Sequence, residues 1–258
     1  MKDCELYMGE LLKDDNILNI YHFGSVVYNT INEKSDSDFI VVCKKLPNGG
    51  ELYNIDYYTF HFHTLKNFEL LLELNEIQSL ECIFLPNKFK IKETIKFPFV
   101  LDKEKLRRSV STITSNSYVK GKKKLIIQGD YDKYLAIKSI FHSIRIIDFG
   151  IQIATENRII NYETCNWIMF DLLKISENKE SVELWDIINR KYHEIFRNKS
   201  SDFKKLYPIS NDKNITIKES EQSLIINGKL FKIKNSEDFE TVFKIIQELD
   251  LLPIIKHK

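Results

Sequence analysis

The chain has 258 residues, with 38 Lys and Arg against 37 Asp and Glu, so any contact with phosphate or nucleic acid must come from a local patch and not from an overall basic field. Hydrophobic residues make up 43% and charged residues 29%, which excludes a disordered or fibrous chain and leaves room for a sizeable core. The four cysteines, Cys4, Cys43, Cys82 and Cys165, form no CxxC pair, and no apolar run approaches the roughly 20 residues of a membrane span; zinc fingers, disulfide scaffolds and membrane proteins are set aside, and a cytoplasmic protein is expected.

Residues 3–13 have the pattern of a short opening helix. Ile17 to Phe23 is apolar and β-rich, a strand broken by Gly24-Ser25, and Val26 to Ile31 has room for a short helix. Phe39-Ile40-Val41-Val42-Cys43 is a continuous apolar run, typical of a strand buried on both faces. Pro47-Asn48-Gly49-Gly50 is a turn, and the alternation from Tyr53 to His63 predicts the next strand. Leu65 to Leu85 shows helical spacing. Asp102 can cap a helix carrying Leu106, Val110 and Ile113, and Tyr134 to Ala154 is the longest periodic segment. Another amphipathic helix is expected over 181–197. Beyond Ser200, Asn214 to Ile217 and Leu224 to Ile233 look like strands, with Asn227-Gly228 as a hairpin turn, and Glu237 to Leu251 as a closing helix. The pattern divides an α+β chain into a sheet part (1–100), a helical part (101–200) and a small ββα element (201–258).

The informative segment is Phe23-Gly24-Ser25, a spacer of ten residues, then Asp36-Ser37-Asp38-Phe39-Ile40-Val41. Side chains two apart on a strand point the same way, so Asp36 and Asp38 can aim both carboxylates at one point. Two such charges repel unless a cation lies between them, and a small hard divalent ion, Mg²⁺ or Mn²⁺, suits their oxygen ligands. A Gly-Ser break after a strand lets backbone N–H groups and a hydroxyl approach a phosphate. Taken singly, a DxD pair is a common surface feature and a Gly-Ser a common turn. Together, and ahead of a buried strand, they are specific.

That combination resembles the signature of the DNA polymerase β-like nucleotidyltransferase superfamily. The stretches Phe60 to Phe68, Leu80 to Phe84 and Lys138 to Gly150 are similar to the phage and bacterial members linked to RNA repair. The resemblance spans roughly residues 17–170. It implies a polymerase β-like sheet domain followed by a helical domain. It also implies a nucleoside triphosphate held by Gly24 and Ser25, with metals held by Asp36 and Asp38. A third carboxylate is implied on the next strand. Asp56 is the choice by chemistry, although His61, in Phe60-His61-Phe62, is set more deeply among apolar neighbours. The implied reaction is nucleotidyl transfer to a hydroxyl, such as the 3′ end of an RNA of tRNA size. The alternative is a nucleotide-binding module of the same fold without catalysis.

A second candidate lies on the long helix. Lys138, His142 and Arg145 follow at spacings of four and three and share one face beside the apolar stripe. They form either a clamp for a triphosphate or acceptor backbone, or a solvated face. Lys120, Lys122, Lys123 and Lys124 can steer a polyanion or form a solvated loop. Glu81, within Leu-Glu-Cys-Ile-Phe, calls for a partner such as Arg107 or Arg145, in a structural role.

Overall fold

The computed structural model describes residues 2–32 and 35–207, together with 215–218, 223–226 and 229–232. Two compact units result, Met1–Tyr207 and Pro208–Lys258, so the sheet and the helices that follow it share one unit. In the second unit β6 (Ile215–Lys218), β7 (Ser223–Ile226) and β8 (Lys229–Lys232) pair antiparallel in sequence order. The expected turn at Asn227-Gly228 and the expected closing helix lie outside the described residues.

The first unit is α+β. Its sheet has five strands in the order β3-β4-β2-β1-β5, from β1 (Ile17–Phe23), β2 (Ser37–Cys43), β3 (Leu52–Ile55), β4 (Tyr58–Thr64) and β5 (Lys90–Glu93). The central strand β2 runs antiparallel to β1 and parallel to β4. Its continuous apolar run has the cause expected. Phe39, Val41 and Cys43 pack in a core with Leu11 of α1 (Lys2–Lys13), while Ile40 and Val42 enter the larger core on the other face. That second core contains α2 (Leu65–Glu73), α3 (Ile77–Phe84), α4 (Lys103–Ile126) and α5 (Lys133–Glu156). Helices α6 (Asn166–Ser176) and α7 (Ser181–Leu206) close a third cluster with α4 and α5. A Cβ on Gly121 would lie 2.8 Å from Ile140, so this glycine lets α4 and α5 approach closely.

Three expectations need correction. The stretch Tyr53 to His63 is a hairpin and not one strand, because Asp56 takes φ 51° and the chain reverses at Asp56-Tyr57 between β3 and β4. Leu65 to Leu85 is two helices. Asn75 adopts φ 51°, and its side-chain nitrogen donates to the carbonyl of Leu72 at 3.1 Å, closing α2 before α3 starts. Its side-chain oxygen accepts from the Asp102 N–H at 2.9 Å, which ties this break to the start of α4. In place of a helix over Val26 to Ile31 there is only a 3₁₀ turn at Gly24–Val26. Asp102 caps α4 as expected, accepting from the N–H groups of Glu104 and Lys105.

Candidate active site

β1 ends at Phe23, which pairs with Asp38 of β2, and the chain then turns through Gly24-Ser25. Gly24 has φ +72°, a conformation that costs any L residue, and a Cβ there would stand 2.5 Å from Asp38 Oδ2. The glycine is therefore what lets the Asp38 carboxylate lie against the turn. Ser25 is buried beside it, and its carbonyl accepts from the N–H of Thr30 at 3.0 Å, which holds the turn closed.

Alternation along β2 puts Asp38 on the face of Ile40 and Val42, where the helices pack. A cleft of about 400 Å³ opens there. From the sheet side it is lined by Gly24, Ser25 and Asp38, and from α4 and α5 by Lys120, Lys138, His142 and Arg145. Gly24, Ser25 and Asp38 of the signature and the basic helix face, far apart in sequence, thus border one space. Asp36 is exposed just before β2, outside the lining, but close enough to act on Asp38 through its charge. Burial raises the Asp38 carboxyl above the usual range; Lys138 and His61 pull it down, and Asp36 pushes it up.

Asp56 is not brought to this cleft. It sits in the β3–β4 turn and accepts from the Cys4 thiol of α1 at 2.9 Å, a bond that lowers its pKa, and α1 covers the opposite face of the sheet. On β4 it is His61 that faces the same way as Asp38, since it is in register with Ile40. Asp36 and Asp38 are the carboxylates whose hard oxygens would hold a divalent cation here. Among the described residues no group of three or more His, Cys, Asp or Glu is arranged to hold a metal ion.

Arg145 is only 4% exposed, yet among the described residues no carboxylate lies within ion-pair distance of it. Its guanidinium lies 3.4 Å from the centre of the Tyr28 ring and 4.9 Å from that of Phe141. Nη2 meets Nδ1 of His142 at 2.8 Å, while the buried Nε has no partner. Arg145 can only donate, so Nδ1 of His142 accepts and the neutral ring carries its proton on Nε2. Burial, with help from Arg145, Lys138 and Lys120, holds this histidine down to about 3. His142 is thus a neutral donor and not a cation at physiological pH. Glu81 receives the hydroxyl of Tyr28, and burial pushes its carboxyl up to about 7, partly offset by Arg145. Of the two partners foreseen for Glu81, Arg145 is the one beside it, with Tyr28 in direct contact.

Tyr28 went unnoticed in the sequence; its only signal was an aromatic residue four positions after Gly24. Ser117, Tyr134 and Met169 also line the cleft without having been singled out.

Residues 4–111 match the nucleotidyltransferase domain family. The match covers less than half of the chain. It ends within α4, so it includes Gly24, Ser25, Asp36 and Asp38 but not α5. Curated proteins yield no match. Among solved structures, the chain is similar to a spectinomycin adenyltransferase from Enterococcus faecialis determined with ATP and spectinomycin. That similarity has 15% identity and a TM-score of 0.42, over 79% of this chain and 97% of the other. A nucleotidyltransferase-like protein from Exiguobacterium sibiricum is similar at 8% identity and a TM-score of 0.33, over 97% of this chain and 91% of the other. Among the described residues no helix is long and apolar enough to cross a membrane.

Proposed function

We propose that the cleft binds a nucleoside triphosphate and that the protein transfers its nucleotidyl group to a hydroxyl acceptor. The observation that carries this reading is the single cleft bordered by Gly24, Ser25 and Asp38 on one wall and by Lys120, Lys138, His142 and Arg145 on the other. Three cations facing one half-buried carboxylate call for a ligand that brings negative charge. The nucleotidyltransferase match over residues 4–111 supports the same chemistry.

In this mechanism the Gly24-Ser25 turn receives phosphate oxygens through backbone N–H groups and the Ser25 hydroxyl. Lys138 neutralises part of the polyphosphate charge. Arg145 offers its planar fork to two oxygens, and His142 adds a neutral Nε2–H. A divalent cation, Mg²⁺ or Mn²⁺, held by Asp36 and Asp38, would supply further charge neutralisation at the triphosphate. The acceptor oxygen forms a bond to the α-phosphorus, the bond to the bridging oxygen breaks, pyrophosphate leaves, and the hydroxyl proton passes to solvent. The acceptor put forward is an RNA 3′ end on a molecule of tRNA size, supported by Lys120 in the lining; further along the same helix Lys124 pairs with Asp130 and Lys122 lies over the Trp185 ring.

A second reading, nucleotide binding without transfer, draws on the placement of Asp56 outside the cleft. One experiment separates the two. The protein is incubated with each NTP labelled at the α-phosphate, with Mg²⁺ or Mn²⁺ and total RNA. Label appearing in RNA supports transfer. Bound but untransferred label supports the second reading, and neither binding nor transfer overturns both.

A further inference from the structure

Tyr28 contacts several elements around the site. It lies two residues past the Gly24–Val26 turn, and its N–H donates to the Gly24 carbonyl at 3.2 Å. Its own carbonyl accepts from Asn166 Nδ2 of α6 at 2.8 Å. The hydroxyl donates to the Glu81 carboxylate of α3, and the ring face lies 3.4 Å from the Arg145 guanidinium of α5. The side chain is buried and lines the cleft. One residue thereby joins the turn, two elements beneath it and the cation opposite.

From this we infer that Tyr28 is a positioning residue, one that registers the Arg145 guanidinium against the Gly24-Ser25 turn so that both meet the same polyphosphate. The inference rests on the proposed nucleotide site. A carboxylate pairing with Arg145 directly would neutralise it and occupy its fork. An aromatic face instead attracts the cation through the ring quadrupole and leaves the in-plane N–H groups free to donate. Here the ring lies between Arg145 and Glu81: its edge hydroxyl engages the acid while its face carries the guanidinium. Nε of Arg145, buried and without a partner, is a donor still to be met. Glu81 acts through Tyr28 by fixing the ring, and the bond from the Tyr162 hydroxyl to the Glu81 carbonyl, at 2.7 Å, fixes Glu81 in turn.

The test is a double-mutant cycle on the full chain, read as the calorimetric affinity for inorganic tripolyphosphate, which needs no knowledge of the base. Arg145→Met should weaken binding. Tyr28→Leu should weaken it by about tenfold to thirtyfold, the range of a desolvated cation–π contact, and should add less than about twofold in the Arg145→Met background. Tyr28→Phe keeps the ring face and should stay within about threefold of wild type. It also carries the test if Tyr28→Leu fails to fold: a loss with Tyr28→Phe as large as that with Arg145→Met overturns the inference. So does a Tyr28→Leu loss that is absent, or that persists in full without Arg145, since a merely structural role would weaken binding in either background. Unchanged affinity in Arg145→Met would instead overturn the nucleotide site on which the inference rests.

Discussion

Substitution of Gly24 by alanine separates backbone strain from damage to the site. At φ +72° an L residue costs about 1–2 kcal/mol. In addition, the new Cβ would stand 2.5 Å from Asp38 Oδ2. Ordinary van der Waals contact begins near 3.4 Å, so the carboxylate must retreat by roughly 1 Å, a displacement that can cost about a hundredfold in rate. Gly50→Ala is the matched control: Gly50 has φ +89°, and a Cβ there meets nothing within 4 Å. Both variants should lose thermal stability by a similar amount, about 2–4 °C per kcal/mol for a chain of this size. Only Gly24→Ala should lose turnover, by about a hundredfold in NTP-dependent pyrophosphate release. Equal destabilisation with wild-type turnover in both would show that Gly24 does not seat Asp38.

Ser25→Ala should weaken tripolyphosphate binding by about 1–3 kcal/mol, the loss of one hydrogen bond to a charged group, measured by calorimetry. Asp38→Asn should abolish transfer while the melting temperature holds or rises, because burial already disfavours this charge; Asp36→Asn should abolish transfer as well, and wild-type activity in either variant contradicts the role of the pair. Glu81 gives a pH signature: its folded pKa of about 7 lies above the ordinary 4.5, so the folded state holds its proton longer than the unfolded state does. Stability from this group is complete below about 4.5, is lost as pH rises to about 7 and is flat above. Glu81→Gln should remove that slope in urea titrations between pH 5 and 8, and an unchanged slope would show that Glu81 ionises normally.

Much of the site was legible because its parts follow local rules. A strand, a Gly-Ser break and a DxD pair before a run buried on both faces mark the segment, and its resemblance to the nucleotidyltransferase signature implies one site for Gly24, Ser25 and Asp38; the pairing of Phe23 with Asp38 brings them together. The spacing of Lys138, His142 and Arg145 fixes a shared helix face, and the apolar stripe beside it carries that face to the edge of the packed surface. The position of Asp56 is hidden in the sequence because alternation over Tyr53 to His63 runs smoothly through the hairpin; only the positive φ at Asp56, which aspartate tolerates, marks the reversal. The edge strand β5, Lys-Ile-Lys-Glu, pairs through its backbone and offers little apolar signal. Helix α6 was hidden by Trp167 and Phe170, exposed aromatics that blur its stripe. The Tyr28–Arg145 contact joins residues more than a hundred positions apart and follows from no local pattern.

In the proposed function one ligand is held by both walls of the cleft. The most direct measurement is the affinity of a non-hydrolysable NTP with Mg²⁺, in the wild type, in Ser25→Ala on the sheet wall and in Lys138→Met on the α5 wall. Binding should weaken in both single variants, with folding intact in each. Unchanged affinity in either one would contradict this, because the ligand would then lie against a single wall or elsewhere.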